Sequence, residues 1–202
     1  MIGAGLALAG GVLVTFAGVR YAVGTVRADE ARSAWEAQQA QAAVDRARSL
    51  VADRGPAPSV AGAPVARIMI PRIDLDAIVL EGVSDDELNA GPGHFPGSAL
   101  PGDPGNAVIS AHRDRHFSHF DELSLGDTVV TEARGQRNVW VIVSRRVVDK
   151  DSRALFRTAD ATLTLTTCWP IRYFGPAPDR LIITAKPVAT HAHPQAVALR
   201  TD

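Results

Sequence analysis

The pattern of apolar and polar positions changes twice along this chain. Residues 2–19 have uncharged side chains throughout, whereas residues 28–54 are rich in Ala, Gln, Glu and Arg, which are strong helix formers. Residues 55–64 are rich in Pro, Gly, Ala and Ser, a composition typical of a linker. Beyond them, short runs of Val, Ile, Leu and Thr alternate with turn residues. The pattern predicts a helical N-terminal region that a linker joins to a β-rich domain.

Several runs between residues 66 and 186 have the β-branched and aromatic composition of strands. They are ARIMI (66–70), AIVLEG (77–82), NAVISAH (106–112), DTVVTEA (127–133), VWVIVSRRVV (139–148), TLTLTT (162–167) and RLIITAK (180–186). Short helical pieces fit only near 84–89 and 119–123, and the segment 91–106 has too many Pro and Gly residues for regular structure. Many short strands at close spacing predict a sandwich or a barrel.

The uncharged segment near the N-terminus is long enough to cross a membrane. It has eighteen residues without a charge (2–19), and about eighteen such residues mark a transmembrane helix candidate. A cleaved signal peptide is the alternative, but no basic region precedes the apolar stretch. We therefore predict a single-pass anchor over residues 1–25. Arg20 and Arg27 lie on its C-terminal side, so the positive-inside rule does not support an extracytoplasmic domain.

Changes in composition predict the remaining boundaries. They predict a helical stalk at 26–54, the linker at 55–64, the β-domain at 65–188 and a polar C-terminal tail at 189–202. The stalk has many polar residues and a thin apolar stripe, which predicts a solvated helix. A helix that binds a partner through Trp35, Val44 and Leu50 is the alternative.

Charge and cysteine content narrow the function further. The formal net charge is −1 and the chain has no dense Lys/Arg stripe, which argues against nucleic-acid binding. A single cysteine excludes a disulfide within the chain. A lone cysteine is usually a small buried apolar residue, yet an unpaired thiol in an oxidising compartment requires a reason.

The cysteine and one histidine occupy similar positions in the pattern. Cys168 follows the run TLTLTT and precedes Trp-Pro, so we expect it at a strand end, where a side chain can face a cleft. His112 ends the run NAVISAH. A Cys–His pair is the minimum for acyl transfer through a thioester. A buried structural thiol and a surface turn histidine are the alternatives.

A cation is also predicted near the thiol. Arg180 opens the run RLIITAK, and if this run pairs with TLTLTT the guanidinium would lie close to the cysteine end. There it would stabilise a thiolate or an oxyanion. A surface arginine on an edge strand is the alternative, and Arg172 is a rival cation nearer in sequence.

The remaining histidines do not predict a metal site. His112, His116 and His119 form an HxxxHxxH pattern, but the first lies in a predicted strand, so helical spacing does not apply. We expect no metal and no cofactor. His94, His191 and His193 are expected in loops or in the tail.

The order and spacing of these residues resemble the sortase family over residues 66–188. NAVISAHRDRHF is similar to the strand–histidine motif of that family, TLTLTTCWP to its TLxTC motif, and APDRLIITA carries its Arg where the family places a catalytic arginine. The loop GPGHFPGSALPGDPGN and the Gly-Asp of SLGD are similar as well. Ala111 departs from the glycine that usually precedes the histidine. The AHRD element and YFGPAP (173–178) look most like class D sortases, including those of proteobacterial type.

The resemblance implies an all-β fold, a closed eight-stranded sortase-type barrel with short helices. It implies a membrane-anchored cysteine transpeptidase that cleaves an LPxTG-like sorting signal after its threonine and passes the acyl group to an amine. His112, Cys168 and Arg180 carry over as the catalytic set, and Thr166 and Thr167 as substrate-binding candidates.

The implied partners are secreted proteins with a C-terminal sorting signal and an amine acceptor, either a pilin lysine or a cell-wall amine. The implied location is the cell membrane, with the catalytic domain on the extracytoplasmic side. Two alternatives stay open: a cysteine hydrolase on the same barrel, and a non-catalytic membrane-anchored binding domain.

Overall fold

Strand-forming side chains organise residues 64–187 into a closed barrel of eight strands. The structure is a computed structural model that describes residues 2–48, 60–152 and 158–188, with the side chains of the first helix described only over 18–42. The strands are β1 (Pro64–Ile70), β2 (Leu75–Glu81), β3 (Gly93–His94), β4 (Asn106–Ser110), β5 (Thr128–Ala133), β6 (Gln136–Asp149), β7 (Thr162–Trp169) and β8 (Asp179–Pro187). The helices are α1 (Ile2–Arg48) and α2 (Asp85–Ala90), with short 3-10 turns at Pro71–Ile73 and Phe120–Glu122.

The strand order around the barrel is β1-β2-β3-β4-β7-β8-β6-β5. Two neighbouring pairs, β2–β3 and β4–β7, are parallel, and the other pairs are antiparallel. Because β4 and β7 run in the same direction, their C-terminal ends lie at the same edge of the barrel. The chain therefore leaves β4 just before His112 and leaves β7 just after Cys168, at the same edge of the barrel.

The barrel interior is filled by apolar side chains from alternate positions of each strand. Ile68, Ile109, Leu165 and Ile183 come from four different strands and are all fully buried. Trp140 lies beside them and donates its indole N–H to the hydroxyl of Thr131 at 2.8 Å. Since the period of a strand is two, the residues between these positions face outward on β4, β7 and β8.

Most predicted strands are confirmed, and two details differ. β3 lies within the Pro- and Gly-rich segment that was expected to lack regular structure. The expectation that His94 is a loop residue is wrong, because it lies in β3 and is buried. Cys168 lies at the strand end, as expected, because it is the last but one residue of β7. The closed eight-stranded barrel predicted by resemblance is confirmed.

The N-terminal helix packs against the barrel instead of standing free in solvent. Trp35 is only 6% exposed and forms a cluster with Ile78, Leu80 and Ala90. The expectation of a fully solvated stalk is wrong here, because one large aromatic side chain suffices to bury a narrow stripe of the helix. Gly24 makes a second close approach: a Cβ there would lie 2.5 Å from the carbonyl oxygen of Asn89.

Over the part of the chain that the structure describes, no helix is both long enough and apolar enough to cross a membrane. Most side chains of the predicted anchor (1–25) lie outside the described residues, so the anchor stays a prediction. The helix continues without a break across the predicted boundary at 25/26. Much of the predicted linker (55–59) and the whole predicted tail (189–202) also lie outside the described residues.

Candidate active site

The pairing of three adjacent strands brings the predicted catalytic residues to one level. Cys168 lies directly opposite Arg180 in the antiparallel β7–β8 pair. In the parallel β4–β7 pair Ser110 lies opposite Thr166, and the Ala111 N–H continues this ladder by donating to the Thr166 carbonyl at 3.2 Å. His112 comes two residues after Ser110, and Cys168 comes two residues after Thr166. Adjacent strands lie about 4.8 Å apart, so Cys168 and Arg180 are neighbours across the sheet, and His112 begins the turn beside them.

The alternation of side chains directs all three residues to the outer face of the barrel. Leu165, Leu181 and Ala111 belong to the interior cluster. Cys168 is three positions from Leu165, while Arg180 and His112 each adjoin an interior residue, so all three have the opposite parity. Consistent with this, the Cys168 side chain is partly exposed and not enclosed in the core. By this alternation the sulfur, the imidazole and the guanidinium belong to the same outer side of the sheet.

The outward-facing residues beside Cys168 and Arg180 are themselves buried, namely Val108, Thr164, Thr166 and Ile182. The segment after β3 extends the antiparallel pairing with β4, because the Phe95 N–H donates to the Val108 carbonyl at 2.9 Å and the Val108 N–H donates to the Ser98 hydroxyl at 3.2 Å. Thr166 lies two residues before Cys168 and on the same face, so it is next to the thiol along the strand.

Thr167 has a different role from its neighbour. Its buried hydroxyl donates to the Ala111 carbonyl at 2.8 Å. This bond ties the residue before Cys168 to the residue before His112, which helps to fix the two chain segments relative to each other. The hydroxyl is thus engaged within the protein, and the substrate-binding role of Thr166 and Thr167 stays a prediction.

The segment after His112 is anchored from below by two aromatic rings. The His112 carbonyl accepts hydrogen bonds from the N–H groups of Arg115 and Phe117 at 3.3 and 3.1 Å, which closes a tight turn. Phe117 and Phe120 are fully buried and stack with their ring centroids 3.6 Å apart. A tight turn pinned in the core holds the histidine at the barrel edge.

The structure distinguishes the two candidate cations, Arg180 and Arg172, by their positions relative to Cys168. Arg180 faces Cys168 across the β7–β8 pair, and its guanidinium donates to the Asp179 carbonyl at 2.9 Å. The side chain of Arg172 is 76% exposed and lies 3.8 Å from the carboxylate of Asp121. The pairing condition that the sequence argument required for Arg180 is therefore met.

His116 is a partly buried histidine behind the His112 turn. It lines a cavity of about 210 Å³ beneath α1, together with Asp29, Arg32 and Asp76. Burial lowers the pKa of His116 to about 4, and the nearby charges of Arg115 and His112 act in the same direction. Its Nδ1 atom is buried without a hydrogen-bond partner among the described residues. The neutral imidazole is therefore the form that the folded protein accommodates.

Sequence reasoning missed a buried polar cluster on β2 and β3. Glu81 and the His94 Nδ1 lie 2.7 Å apart, and the His94 Nε2 lies 2.9 Å from both the Ser98 hydroxyl and the Ala99 carbonyl. The glutamate and the histidine are buried, so this cluster fixes the covering segment to the barrel. In the sequence, His94 lies in a segment rich in Gly and Pro, and composition alone assigns such a segment to a loop.

The described residues contain no group of three or more His, Cys, Asp or Glu side chains that could hold a metal ion.

Comparison with known proteins agrees with this geometry. A family model described as the sortase domain matches residues 68–188. Sortase D of Bacillus subtilis is 36% identical over 121 residues, which are 59% of this chain and 61% of that protein. This chain thus spans less than two thirds of that relative.

Solved structures of sortases have the same fold. A sortase D5 transpeptidase of Clostridium perfringens superposes with a TM-score of 0.63 at 24% identity, covering 83% of this chain and 99% of that one. The catalytic domain of SrtD of B. anthracis superposes with a TM-score of 0.56 at 31% identity, covering 68% of this chain and 96% of that one.

A closed eight-stranded barrel with a cysteine opposite an arginine on adjacent strands, and a histidine just after the neighbouring strand, is typical of sortase-type barrels. The family model covers more than half of the chain, so this protein belongs to the sortase family. The family prediction made from the sequence is confirmed. The sortase D of B. subtilis and the SrtD of B. anthracis agree with the predicted class, and the proteobacterial type stays a prediction.

Proposed function

We propose that this chain is a cysteine transpeptidase that cleaves an LPxTG-like sorting signal through a thioester on Cys168 and transfers the acyl group to an amine. The observation that supports the proposal is the strand register: Cys168 pairs with Arg180 between β7 and β8, and His112 follows the end of the neighbouring strand β4, where Ser110 pairs with Thr166. Family membership supports the reaction class.

The chemistry follows from the three side chains. His112 takes the proton of the Cys168 thiol, and the sulfur attacks the carbonyl carbon of the signal threonine. Arg180 stabilises the negative oxygen of the tetrahedral intermediate. His112 then returns the proton to the departing amide nitrogen, which leaves as an amine, and a thioester remains on the sulfur.

The second half reverses these roles with a new amine. The incoming amine attacks the thioester carbonyl and gives a proton to His112, and the Cys168 sulfur leaves and regains a proton from that histidine. The outward-facing Val, Ile and Thr side chains beside Cys168 suit an extended peptide that lies along the strands. Partial exclusion of water would favour the amine over hydrolysis.

The setting of the enzyme is part of the proposal. We propose a membrane anchor within residues 1–25, a catalytic domain outside the cytoplasm, and secreted proteins with sorting signals as partners. The amine acceptor would be a pilin lysine or a cell-wall amine. Tethering the enzyme beside substrates that are themselves tethered raises their effective concentration.

The test is a reaction of the full chain with a sorting-signal peptide and a primary amine, followed by mass spectrometry. We expect the aminolysis product, and its loss in Cys168→Ala. Arg180→Ala should lower kcat on the order of 10²-fold, as for other lost oxyanion donors. Arg172→Ala, the matched control, should keep the wild-type rate.

The other outcomes identify the alternatives. Free acid as the only product at high amine concentration would indicate a cysteine hydrolase. No product, with slow labelling of Cys168 by a thiol probe that His112→Ala does not alter, would indicate a non-catalytic binding domain.

A further inference from the structure

Two loops adjoin the candidate catalytic residues, and one side chain joins the two loops. The first loop follows β4 and contains His112, and the second covers residues 170–178 between Cys168 and Arg180. We propose that Arg113 is a positioning residue that locks the second loop to the first and thereby fixes the cysteine against the histidine. This inference rests on the proposed function for its catalytic readout.

The contacts of Arg113 converge on the backbone of the second loop. Its Nη1 donates to the Pro170 carbonyl at 3.0 Å, and its Nη2 donates to the carbonyls of Tyr173 and Gly175 at 3.0 and 2.7 Å. The guanidinium also lies 5.6 Å from the centre of the Tyr173 ring, within the range of a cation–π contact. One side chain thus contacts the loop at its beginning and near its middle.

The middle of the loop has few other means of support. Residues 172–176 are exposed, and Phe174 at the tip is fully exposed. Near its start the loop is held by Ile171, which is buried in the barrel core. Besides the exposed Arg172–Asp121 pair at 3.8 Å, the three hydrogen bonds from Arg113 hold the exposed part against the His112 segment.

The location of the loop makes this contact relevant to the chemistry. The loop starts two residues after Cys168 and ends two residues before Arg180, so its path affects both. Arg113 is covalently next to His112. The guanidinium of Arg113 therefore connects the segment of His112 with the loop between Cys168 and Arg180. Its donors bond backbone carbonyl oxygens of that loop.

The geometry requires arginine and not merely a positive charge. A guanidinium is a planar fork with five donors, whereas a lysine ammonium is a point charge on a flexible stem. Three carbonyls at separate points of a loop match the fork. A lysine at this position would keep the charge and lose the simultaneous contacts.

The test uses Arg113→Lys and Arg113→Gln in the full chain, with Arg115→Lys as the matched control. Arg115 lies in the same loop, but its guanidinium stacks over the Tyr21 ring of α1 at 5.0 Å and makes no bond to the second loop among the described residues. We measure hydrogen exchange of the amides in 170–178, the rate of Cys168 alkylation at neutral pH, and kcat and KM for transpeptidation.

We expect both Arg113 variants to exchange faster in the loop, and alkylation of Cys168 to slow towards the rate of His112→Ala. We expect kcat to fall roughly 10- to 100-fold with KM unchanged, because a small misplacement of reacting groups has effects of this size. The lysine and glutamine variants should lose similar amounts, and Arg115→Lys should match the wild type.

Three results would overturn the proposal. Wild-type exchange and kcat in Arg113→Lys would show that the fork is not needed. A change in KM alone would make Arg113 a substrate-binding residue, and equal effects from Arg115→Lys would indicate general destabilisation. If the wild-type chain forms no transpeptidation product, the proposed function fails, while exchange and alkylation still decide the role of Arg113.

Discussion

The lowered pKa of His116 predicts that the free energy of unfolding falls in mild acid. The folded protein holds the pKa of this imidazole at about 4, against 6.5 for an unperturbed histidine. Between these values the unfolded chain binds a proton that the folded protein does not. Stability is therefore complete above pH 6.5, falls as the pH drops towards 4, and has no further dependence on His116 below that value.

The magnitude follows from the interval between the two pKa values. Each pH unit corresponds to about 1.4 kcal/mol, so the full interval from 6.5 to about 4 is at most about 3.5 kcal/mol. By pH 5 about 2 kcal/mol of it should be lost, on the same reasoning. These values are upper limits, since His116 keeps some exposure to water, which weakens the penalty for charging it.

The assay is denaturant unfolding at pH 7.5 and pH 5, followed through the fluorescence of the buried Trp140. His116→Gln should show a smaller difference between the two pH values than the wild type, by about 1–2 kcal/mol after allowing for partial exposure. The matched control is His119→Gln, in the same loop but with an exposed side chain. The reasoning is refuted if His116→Gln keeps the full pH dependence, or if the control removes it.

Three further substitutions test the docking of α1 on the barrel and one hydrogen bond beside the candidate site. Gly24→Ala should destabilise the docked helix by about 1–3 kcal/mol through overpacking against Asn89, whereas Gly18→Ala, with no atom within 4 Å of the new Cβ, should stabilise slightly; equal unfolding midpoints would contradict the docking. Trp35→Ala should lower the free energy of unfolding by about 3 kcal/mol, and a change below the error of the titration would argue against the observed cluster. Thr167→Val should lower it by about 1–2 kcal/mol by leaving the Ala111 carbonyl unpaired, and an unchanged midpoint would speak against that bond.

The strands of the barrel could be read from the sequence because their alternation is strong. The run TLTLTT predicts β7, and both its inward leucines and its outward threonines are where a period of two puts them. β3 could not be found in this way, because two residues have no measurable period. It is a strand only because it pairs with β2 and β4, and a two-residue sequence does not show these partners.

The candidate site was predictable to the extent that residue type and strand position define it. Cys168 and His112 stood out at the ends of apolar runs, and Arg180 depended on a pairing that the structure confirms. Arg113 could not be recognised, because its partners are backbone carbonyls 57 to 62 residues away, and a carbonyl has no signature in a sequence. The burial of Trp35 was missed for a similar reason, since helix propensity does not show which surface a helix meets.

The most direct measurement is the rate of acyl-enzyme formation, followed by intact mass after rapid mixing of the full chain with a sorting-signal peptide. The account predicts an adduct of the acyl mass located on Cys168, formed much more slowly in His112→Ala and Arg180→Ala and at the wild-type rate in Arg172→Ala. An adduct that forms equally fast without His112 or Arg180, or one that lies on a residue other than Cys168, would contradict it.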